Sequence, residues 1–252
     1  MKKFELTSET KINIFGKKLF RIKALISFAD VEAGETGGWV EKEGNVNQSG
    51  DAWVSGNAEV SGNAKVYGNA KVYGNAKVYG NAKVSVNAKV YGNAKVSGNA
   101  EVSGDAWVYG NAKVSGNAWV SGDAKVYGNA KVSGNAEVSV NAEVSGDAWV
   151  SDNAEVHGNA EVSGNAEVSG DAWVYGNAKV YGNADYTTIH GFGTQFRTTT
   201  FFRCKDKKVR VACGCFFGTI PEFREQVKNT RKGKIAEEYL MIADLMENHF
   251  EK

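Results

Sequence analysis

Three arginines and three glycines in the C-terminal quarter of the chain could together bind an anion: Arg197, Arg203, Arg210, Gly191, Gly193 and Gly214. Glycine loops expose backbone N–H groups, and arginine adds bidentate donors. A hairpin turning at Asp206-Lys207 places Arg203 directly opposite Arg210, where like charges repel unless an anion joins them. We therefore predict a site for a small anionic ligand. The alternative is that these are ordinary surface arginines.

Three cysteines lie close to these arginines and, with one histidine, would make a Cys₃His zinc set: Cys204, Cys213, Cys215, and His190 or His249. Counting from the same turn, Cys204 pairs with Val209 and Cys213 with Thr200. Cys204 is then far from the other two along the strand, and Cys-x-Cys points its thiols to opposite faces. We predict free thiols, no metal and no cofactor. An odd number of cysteines also fits a reducing compartment.

A six-residue repeat fills the chain from 50 to 184 and must position any chemistry on either side of it. Each unit has the form Gly-Asn/Asp-Ala-x-Val-x. Valine suits an inward strand position, Gly-Asn tolerates the positive φ of a corner, and alanine is small enough to lie inside it. Three such units close one triangular coil, so the repeat predicts an all-β solenoid. Its interior of valine and alanine leaves no room for a ligand.

The repeat resembles the hexapeptide repeat of left-handed β-helices, best known in acyltransferases. The resemblance implies a left-handed parallel β-helix. Crossovers between parallel strands are normally right-handed, and bactofilins are β-solenoids of that other hand, so both remain open, with the left hand favoured. An acyltransferase needs a catalytic histidine, and the repeat holds only His157. Enzymatic activity is therefore not predicted, and a hexapeptide-repeat acyltransferase is the lesser alternative.

Two flanking segments, FGKKLFRIKAL…GGWVEKEGN and TTTFFRCKDKKVRVACGCFFGTIPEF, carry a further resemblance. They are similar to the flanks of phage and prophage hexapeptide-repeat proteins. The resemblance implies a phage-related origin and action in the cytoplasm of a bacterial host cell.

Aromatic residues at outward positions of the repeat form a candidate protein-interaction surface. Residues 18 apart stack in one column, which predicts a tyrosine ladder: Tyr73, Tyr91, Tyr109 and Tyr127. Exposed tryptophan favours contact with protein or sugar, and four tryptophans are candidates: Trp107, Trp119, Trp149 and Trp173. The same rule spreads them over three faces. Packing against neighbouring tyrosines and lysine stems is therefore the alternative.

Charge is graded along the repeat. Lysines precede the valines in six successive units from Lys65 to Lys95, and glutamates dominate from Glu137 to Glu167. The gradient either keeps the surface soluble or orients the rod on a partner or on other copies of itself. A net charge of +1 gives no general attraction to nucleic acid. No apolar run is long enough to span a membrane, and the N-terminus lacks the apolar region of a secretory signal.

The chain thus divides into an N-terminal β-hairpin cap (1–38), the solenoid (39–186) and a C-terminal α+β module (187–252). In the cap, strands over 11–15 and 19–25 should share an apolar side: Ile12, Ile14, Leu19, Ile22 and Leu25. In the module, 187–196 is expected to be a loop. A capping box at Thr219 and Glu222, with Pro221, begins a helix over about 221–230, and a second covers about 233–250.

These observations favour a non-enzymatic structural or interaction protein, a rigid spacer that presents a C-terminal binding module. A protein partner is expected, and a homo-oligomer remains open. The alternative is a phage protein that captures a host protein or an anionic small ligand through the module.

Overall fold

A computed structural model describes residues 2–194 and 196–251. The chain begins with a three-stranded antiparallel arrangement of β1 (Phe4–Ile12), β2 (Lys18–Ala24) and β3 (Thr36–Val40). The hairpin between β1 and β2 turns at 13–17, where the Asn13 side chain accepts hydrogen bonds from the backbone N–H groups of Phe15 and Lys17, both at 2.9 Å. β3 also pairs in parallel with the first repeat strand of the same sheet. The predicted boundary between cap and solenoid, at residue 38, therefore falls inside a strand that belongs to both.

The predicted apolar side of this hairpin is only partly correct. Leu19 and Ile22 are fully buried, whereas Ile12 and Ile14 are 65% and 70% exposed and Leu25 is 42% exposed. The reason is that β1 ends at Ile12 and the chain turns at 13–17, while Phe4 at the other end of β1 supplies the buried aromatic group beside Trp53. The tip of the hairpin instead lies along the surface of the solenoid.

Twenty-two strands of two residues each, β4 to β25, form the solenoid. They are Trp53–Val54, Glu59–Val60, Lys65–Val66, Lys71–Val72, Lys77–Val78, Lys83–Val84, Lys89–Val90, Lys95–Val96, Glu101–Val102, Trp107–Val108, Lys113–Val114, Trp119–Val120, Lys125–Val126, Lys131–Val132, Glu137–Val138, Glu143–Val144, Trp149–Val150, Glu155–Val156, Glu161–Val162, Glu167–Val168, Trp173–Val174 and Lys179–Val180. Each pairs in parallel with the strand three units away, as Lys89 does with Trp107. The predicted solenoid with three six-residue units in each coil is confirmed.

The solenoid has three flat faces, each a parallel sheet. The first face contains β3, β5, β8, β11, β14, β17, β20 and β23; the second contains β4, β7, β10, β13, β16, β19, β22 and β25; the third contains β6, β9, β12, β15, β18, β21 and β24. The eight strands of the second face mark eight coils. The first coil is imperfect, because the step from Val46 to its partner Val66 is longer than the regular step from Val54 to its partner Val72.

Valine and alanine fill the interior. Every valine from Val54 to Val180 at the repeated position, and every alanine from Ala52 to Ala178, has 0% exposure. Burying one valine is worth about 1.5–3 kcal/mol of transfer free energy, and this gain recurs at each corner of each coil. The rod is therefore held by a continuous apolar core, and the described residues 50–184 leave no cavity large enough for a ligand along its axis.

The corners depend on glycine and on asparagine for different reasons. Gly104 has φ +70°, and a Cβ placed there would lie 2.8 Å from the backbone nitrogen of Gly122 in the next coil. Asparagine adds a ladder that we did not predict, in which each side-chain amide donates to the residue at the same corner of the next coil; the Nδ2 of Asn81 is 2.9 Å from the Oδ1 of Asn99. Aspartate can accept in this ladder, as Asp105 does from Asn87, but an ionised carboxylate cannot donate onward.

Hydrogen bonds between coils make the rod polar along its axis. In each unit, three backbone N–H groups donate toward the next coil: those of the corner Asn, the residue before valine and the residue after it. Within one unit, Asn57 donates to Gly74, Glu59 to Ala76 and Ser61 to Val78. As a consequence, the first coil presents carbonyl oxygens that need donors, and the last coil presents N–H groups that need acceptors.

The C-terminal module is a four-stranded antiparallel sheet covered by two helices. Its strands are β26 (Tyr186–Phe192), β27 (Arg197–Arg203), β28 (Val209–Cys213) and β29 (Phe216–Thr219), and its helices are α1 (Ile220–Thr230) and α2 (Gly233–Phe250). The predicted loop over 187–196 is wrong for most of its length, because 186–192 pair with β27 as an edge strand. The predicted helices and the capping box between Thr219 and Glu222 are present.

The two faces of this sheet pack against different parts of the protein. Phe202, Cys204 and Ala212 belong to the same apolar core as the last coils of the rod. Phe201 and Val211 face the helices and pack in a second core. On α2 that core includes one apolar face of the helix, with Tyr239, Ile242, Met246 and Phe250 buried and Ile235 at its margin. The module therefore closes the end of the rod with one side and carries its helices on the other.

Candidate functional site

An open cleft of about 740 Å³ lies where the last coils of the rod meet the C-terminal module. Its lining residues come from both parts: Asp171, Trp173, His190, Phe196, Thr198, Ala212, Gly214 and Cys215. Trp173 is on β24, the last strand of the third face, and the residues of the module lie on β26, β27, β28 and the turns between them. The cleft exists only because the module docks on the rod.

Hydrogen bonds fix the walls of this cleft. The backbone N–H of Trp173 donates to the Oγ1 of Thr200 at 3.1 Å, which joins the last rung of the third face to β27. The Nδ1 of His190 lies 3.0 Å from the Oγ1 of Thr198 on the neighbouring strand. Gly214, with φ +59°, makes the tight turn that places Cys215 at the edge. The site is thus built on strands and short turns.

The chemistry of the cleft suits binding. Its walls are mainly apolar, and two aromatic groups reach solvent: Trp173 is 38% exposed and Phe196 is 66% exposed. One imidazole and one carboxylate stand among them. Apolar and aromatic walls with a few polar groups are the usual composition of a small-molecule site.

Burial beneath the cleft raises the pKa values of two acidic groups. The Tyr175 hydroxyl has its pKa raised to about 12, chiefly by burial and secondarily by Cys215 nearby. Its ring stacks on that of His157, with centroids 5.0 Å apart, which explains the one histidine of the repeat as a packing residue. The ring of Phe217 lies tilted against it, with centroids 4.2 Å apart. Burial raises the pKa of the Cys204 thiol to about 11, so this cysteine stays protonated and unreactive near neutral pH.

The paired arginines of the predicted anion site are not opposite each other. The strand register is one residue away from our prediction: Phe202 pairs with Arg210, and Arg203 with Val209. Side chains alternate along a strand, so the two arginines project from opposite faces of the sheet.

Each of these arginines has its own partners. Arg203 lies 3.5 Å from Asp185 and donates to the carbonyl oxygen of Phe250 at 3.0 Å, whereas Arg210 pairs with Asp206 at 2.7 Å. The side chain of Arg197 lies outside the described part of the chain. The juxtaposition that motivated the anion site is therefore wrong, and local carboxylates neutralise the two arginines that are described.

The glycines of the same prediction separate in space. Gly214 lines the cleft. Gly193 packs on α2, where a Cβ would lie 2.4 Å from the Tyr239 hydroxyl. Gly191 has φ +90° in β26, with open space around it. Only one of the three thus belongs to the candidate site.

The cysteines also follow the corrected register. Cys213 pairs with Thr199, whose hydroxyl lies 3.1 Å from the sulfur, and not with Thr200. Cys204 is buried, Cys213 is half-buried and Cys215 is exposed. Among residues 2–194 and 196–251, no three Cys, His, Asp or Glu side chains are placed to hold a metal ion.

The aromatic residues of the predicted interaction surface are partly exposed but not gathered. Trp107 lies on the second face, Trp149 on the first, and Trp119 and Trp173 on the third. Most have partners along the rod: the Lys89 ammonium is 4.8 Å from the Trp107 ring and the Lys131 ammonium 5.7 Å from that of Trp149, and Trp119 donates to Ser103. The tyrosine ladder is present on the second face, with successive ring centroids 4.8, 4.9 and 5.0 Å apart: Tyr73, Tyr91, Tyr109 and Tyr127.

Sequence reasoning missed the cleft because its residues are scattered from 171 to 215. A usable signal was present: Trp173 is the last tryptophan of the repeat, and the module that must cover it begins soon afterwards and carries His190 and Phe196. An aromatic residue one coil from a cap is a candidate for a junction site.

Comparison with known proteins supports the architecture. Residues 106–122, which span β13 to β15, match the family model of the YdcK β-solenoid repeat. No curated protein matches the chain. Within the described residues, no helix combines the length and apolar character needed to cross a membrane. The matched segment is one coil of the rod, and it shows similarity to a β-solenoid repeat family.

Proposed function

We propose that this chain is a non-enzymatic structural and interaction protein, a rigid spacer that presents a binding module at its C-terminal end. The observation that carries the proposal is the continuity of the core: valine and alanine are fully buried through eight coils, and that core runs on into Phe202 and Ala212 of the module. A rod packed in this way holds its two ends at a fixed separation.

Binding would reside at the junction cleft, because it combines exposed aromatic groups with a concave shape. The resemblance of the flanks leads us to add a phage-related origin and action in the bacterial cytoplasm. The hexapeptide resemblance likewise leads us to propose a left-handed coil. The partner, whether a host protein or a small ligand, contacts Trp173 and Phe196 and leaves the middle of the rod free.

Two variants separate the roles of rod and module. Deleting residues 87–140 joins Val86 to Asn141, keeps the repeat in phase and removes three coils. Its matched counterpart is the full-length chain with Trp173→Ala and Phe196→Ala. Immobilised chains would be compared for proteins and small molecules captured from bacterial lysate, with mass spectrometry as the readout.

We expect the shortened rod to capture the same molecules as the full chain, and the cleft variant to lose them. Circular dichroism confirms that both variants are folded. Loss of capture by the shortened rod together with retention by the cleft variant would mean that the rod faces, and not the module, carry the function.

A further inference from the structure

On the second face of the rod, the outward residues stand in an order that brings complementary groups together when a second copy of the face runs in the opposite direction. From first coil to last, the residues before the valines are Trp53, Lys71, Lys89, Trp107, Lys125, Glu143, Glu161 and Lys179. When the row is set against a copy that runs in the opposite direction, each cation lies opposite an acidic residue or an aromatic ring. This property matters for contact between two copies of the chain, because an antiparallel pair of rods brings a row against its own reverse.

Consider a two-fold axis that lies along the strand direction, midway between β13 and β16. It reverses the rod axis of the second copy and leaves its columns aligned with those of the first. Lys89 then lies opposite Glu143 of the second copy, and Trp107 opposite Lys125. The first pair is a salt bridge and the second a cation–π contact, and the symmetry makes each of them twice.

The neighbouring column, formed by the residues after the valines, is complementary in size on either side of its centre under the same operation. Its order is Ser55, Tyr73, Tyr91, Tyr109, Tyr127, Ser145, Ser163 and Tyr181. Tyr91 lies opposite Ser145 of the second copy and Tyr73 opposite Ser163, so large side chains meet small ones there, whereas at the centre Tyr109 lies opposite Tyr127 and two aromatic rings meet. The tyrosines are already stacked, with centroids 4.8 to 5.0 Å apart and interplanar angles of 0–4°, and lose little freedom on contact.

Other arrangements of the same face form no salt bridges or oppose like charges. A parallel pair about an axis along the rod reverses the strand direction, so that Lys71 lies opposite Tyr73 and Lys89 opposite Tyr91 of the second copy, and no salt bridge forms. Moving the antiparallel axis by half a coil, onto β13, places Lys89 against Lys125. Like charges so placed destabilise an interface, so both the orientation and the register are selected by charge.

The other faces lack this property. The first face has a run of four lysines that meet one another in any antiparallel register centred on them: Lys77, Lys95, Lys113 and Lys131. In its best register the third face pairs Lys83 with Glu137 and Lys65 with Glu155, but it leaves Glu101 against Trp119 at the centre. Only on the second face does an axis at the midpoint of the row pair every residue before a valine with a complementary group.

In the middle of the second face, the charged groups contact residues of that same face: Lys125 and the Tyr127 hydroxyl donate to Glu143, and Lys89 lies over the ring of Trp107. At the outer rungs, Lys71 contacts Asp30 of the N-terminal segment, and Glu161 lies 2.6 Å from Lys205 of the module. At the inner rungs, Lys125 and Glu143 pair only with each other among the ion pairs of the described residues, at 2.9 Å. Trp107 is 37% exposed. An interface of four rungs is small and rich in charge, which makes it weak and sensitive to salt.

We propose that the second face binds a second copy of this chain in antiparallel orientation, with Lys89 of each copy on Glu143 of the other. Sedimentation equilibrium of the full chain at several concentrations tests this. In low salt we expect a monomer–dimer equilibrium, weakened by about tenfold or more when salt is raised from about 0.05 to 0.5 M, where the Debye length falls several-fold. A chain that stays monomeric at all concentrations in low salt overturns the proposal.

Charge reversal tests the register. Glu143→Lys opposes two lysines at two symmetric positions and should weaken the dimer by about tenfold or more. Lys89→Glu should do the same, and the double variant should restore the dimer. Within one chain these residues are three coils, or about 14 Å, apart, so the restoration must come from contact between chains.

A matched reversal on the third face, Glu137→Lys, should leave the dimer unchanged. If Glu137→Lys abolishes the dimer while Glu143→Lys does not, the third face is the contact and the proposal is wrong. A double variant that remains monomeric, with the far-ultraviolet circular dichroism of the wild type, would also contradict it.

Discussion

The two ends of the rod expose opposite backbone chemistry, and the chain closes each with the complementary group. At the first coil, carbonyl oxygens need donors. The Lys3 ammonium donates to Gly50 and Ala52 at 3.0 and 2.8 Å, and the Asn45 amide donates to Gly62 and Ala64 at 3.2 and 2.9 Å. These contacts supply donors to the second and third faces, and the backbone of β3 does so for the first.

At the last coil, N–H groups need acceptors, and each face receives a side-chain oxygen. The donors are backbone N–H groups and the acceptors are side-chain oxygens. On the first face the N–H of Glu167 donates to Asn183 at 2.8 Å, on the third that of Trp173 to Thr200 at 3.1 Å, and on the second that of Tyr181 to Asp185 at 3.0 Å. The comparison teaches that a solenoid cannot be closed by two similar caps. Its ends must differ because the hydrogen bonds between coils point one way.

The two caps also differ in how they cover the apolar core, and the largest expected effect lies there. Phe202 is fully buried against the last coils, beside Tyr175. We expect Phe202→Ala to reduce the free energy of unfolding by about 3–5 kcal/mol, because it opens a cavity between module and rod. Urea denaturation measures the change. Phe217→Ala, at a residue that is 40% exposed, is the matched control and should cost less than half as much.

The donor at the first coil gives the next effect, and it depends on pH. Burial lowers the pKa of Lys3 to about 8 from 10.5, so the cost of burying the ammonium is present below pH 8 and disappears as pH rises to 10.5. Lys3→Met removes two hydrogen bonds and should destabilise by about 1–2 kcal/mol near neutral pH. Its deficit relative to wild type should then grow by roughly 3 kcal/mol up to pH 10.5. A deficit that shrinks over this range would contradict the assignment.

At the C-terminal end of the rod, the contribution of a buried group to the free energy of unfolding should change with rising pH in the opposite direction. Burial raises the pKa of Cys204 to about 11 from 9, so its contribution to stability is full below pH 9 and is lost as pH rises through 11. Cys204→Ala lacks this loss. Its deficit should therefore shrink by about 2 kcal/mol between pH 9 and 11. Denaturation across this range, with Lys3→Met run in parallel, tests whether the two ends have opposite slopes.

The acceptor at the last coil of the third face gives the smallest effect. Thr200→Val keeps the shape and leaves the N–H of Trp173 without its acceptor, which should cost about 1–2 kcal/mol. Thr188→Val, at an exposed position opposite Thr200 in the same sheet, should change stability by less than about 0.5 kcal/mol. Equal losses in the two variants would show that the hydrogen bond to Trp173 does not matter.

The repeat could be predicted from sequence and the caps only in outline, for a physical reason. In the repeat, every sixth residue meets the same environment, so the inward Val and Ala and the positive-φ glycines determine the coil. In the caps, one-residue differences decide the outcome: the register at Arg203 and Arg210 shifted by one, and the two side chains moved to opposite faces. The contacts of Lys3 at the first coil and of Thr200 at the last coil depend on which backbone groups those two coils expose, and composition does not reveal that.

The proposed spacer is a rigid rod whose two caps fix a single length. Spin labels at Asn57→Cys and Asn165→Cys, both exposed and on one corner column, test this directly, with Cys213 and Cys215 changed to serine. The two sites are six coils apart. With the labelled chain diluted in an excess of unlabelled chain, so that contacts between copies add no distances, pulsed electron–electron double resonance should give one narrow distribution corresponding to a Cα separation of about 29 Å. A broad distribution, or several separate distances, would contradict the claim that the chain is a rigid spacer.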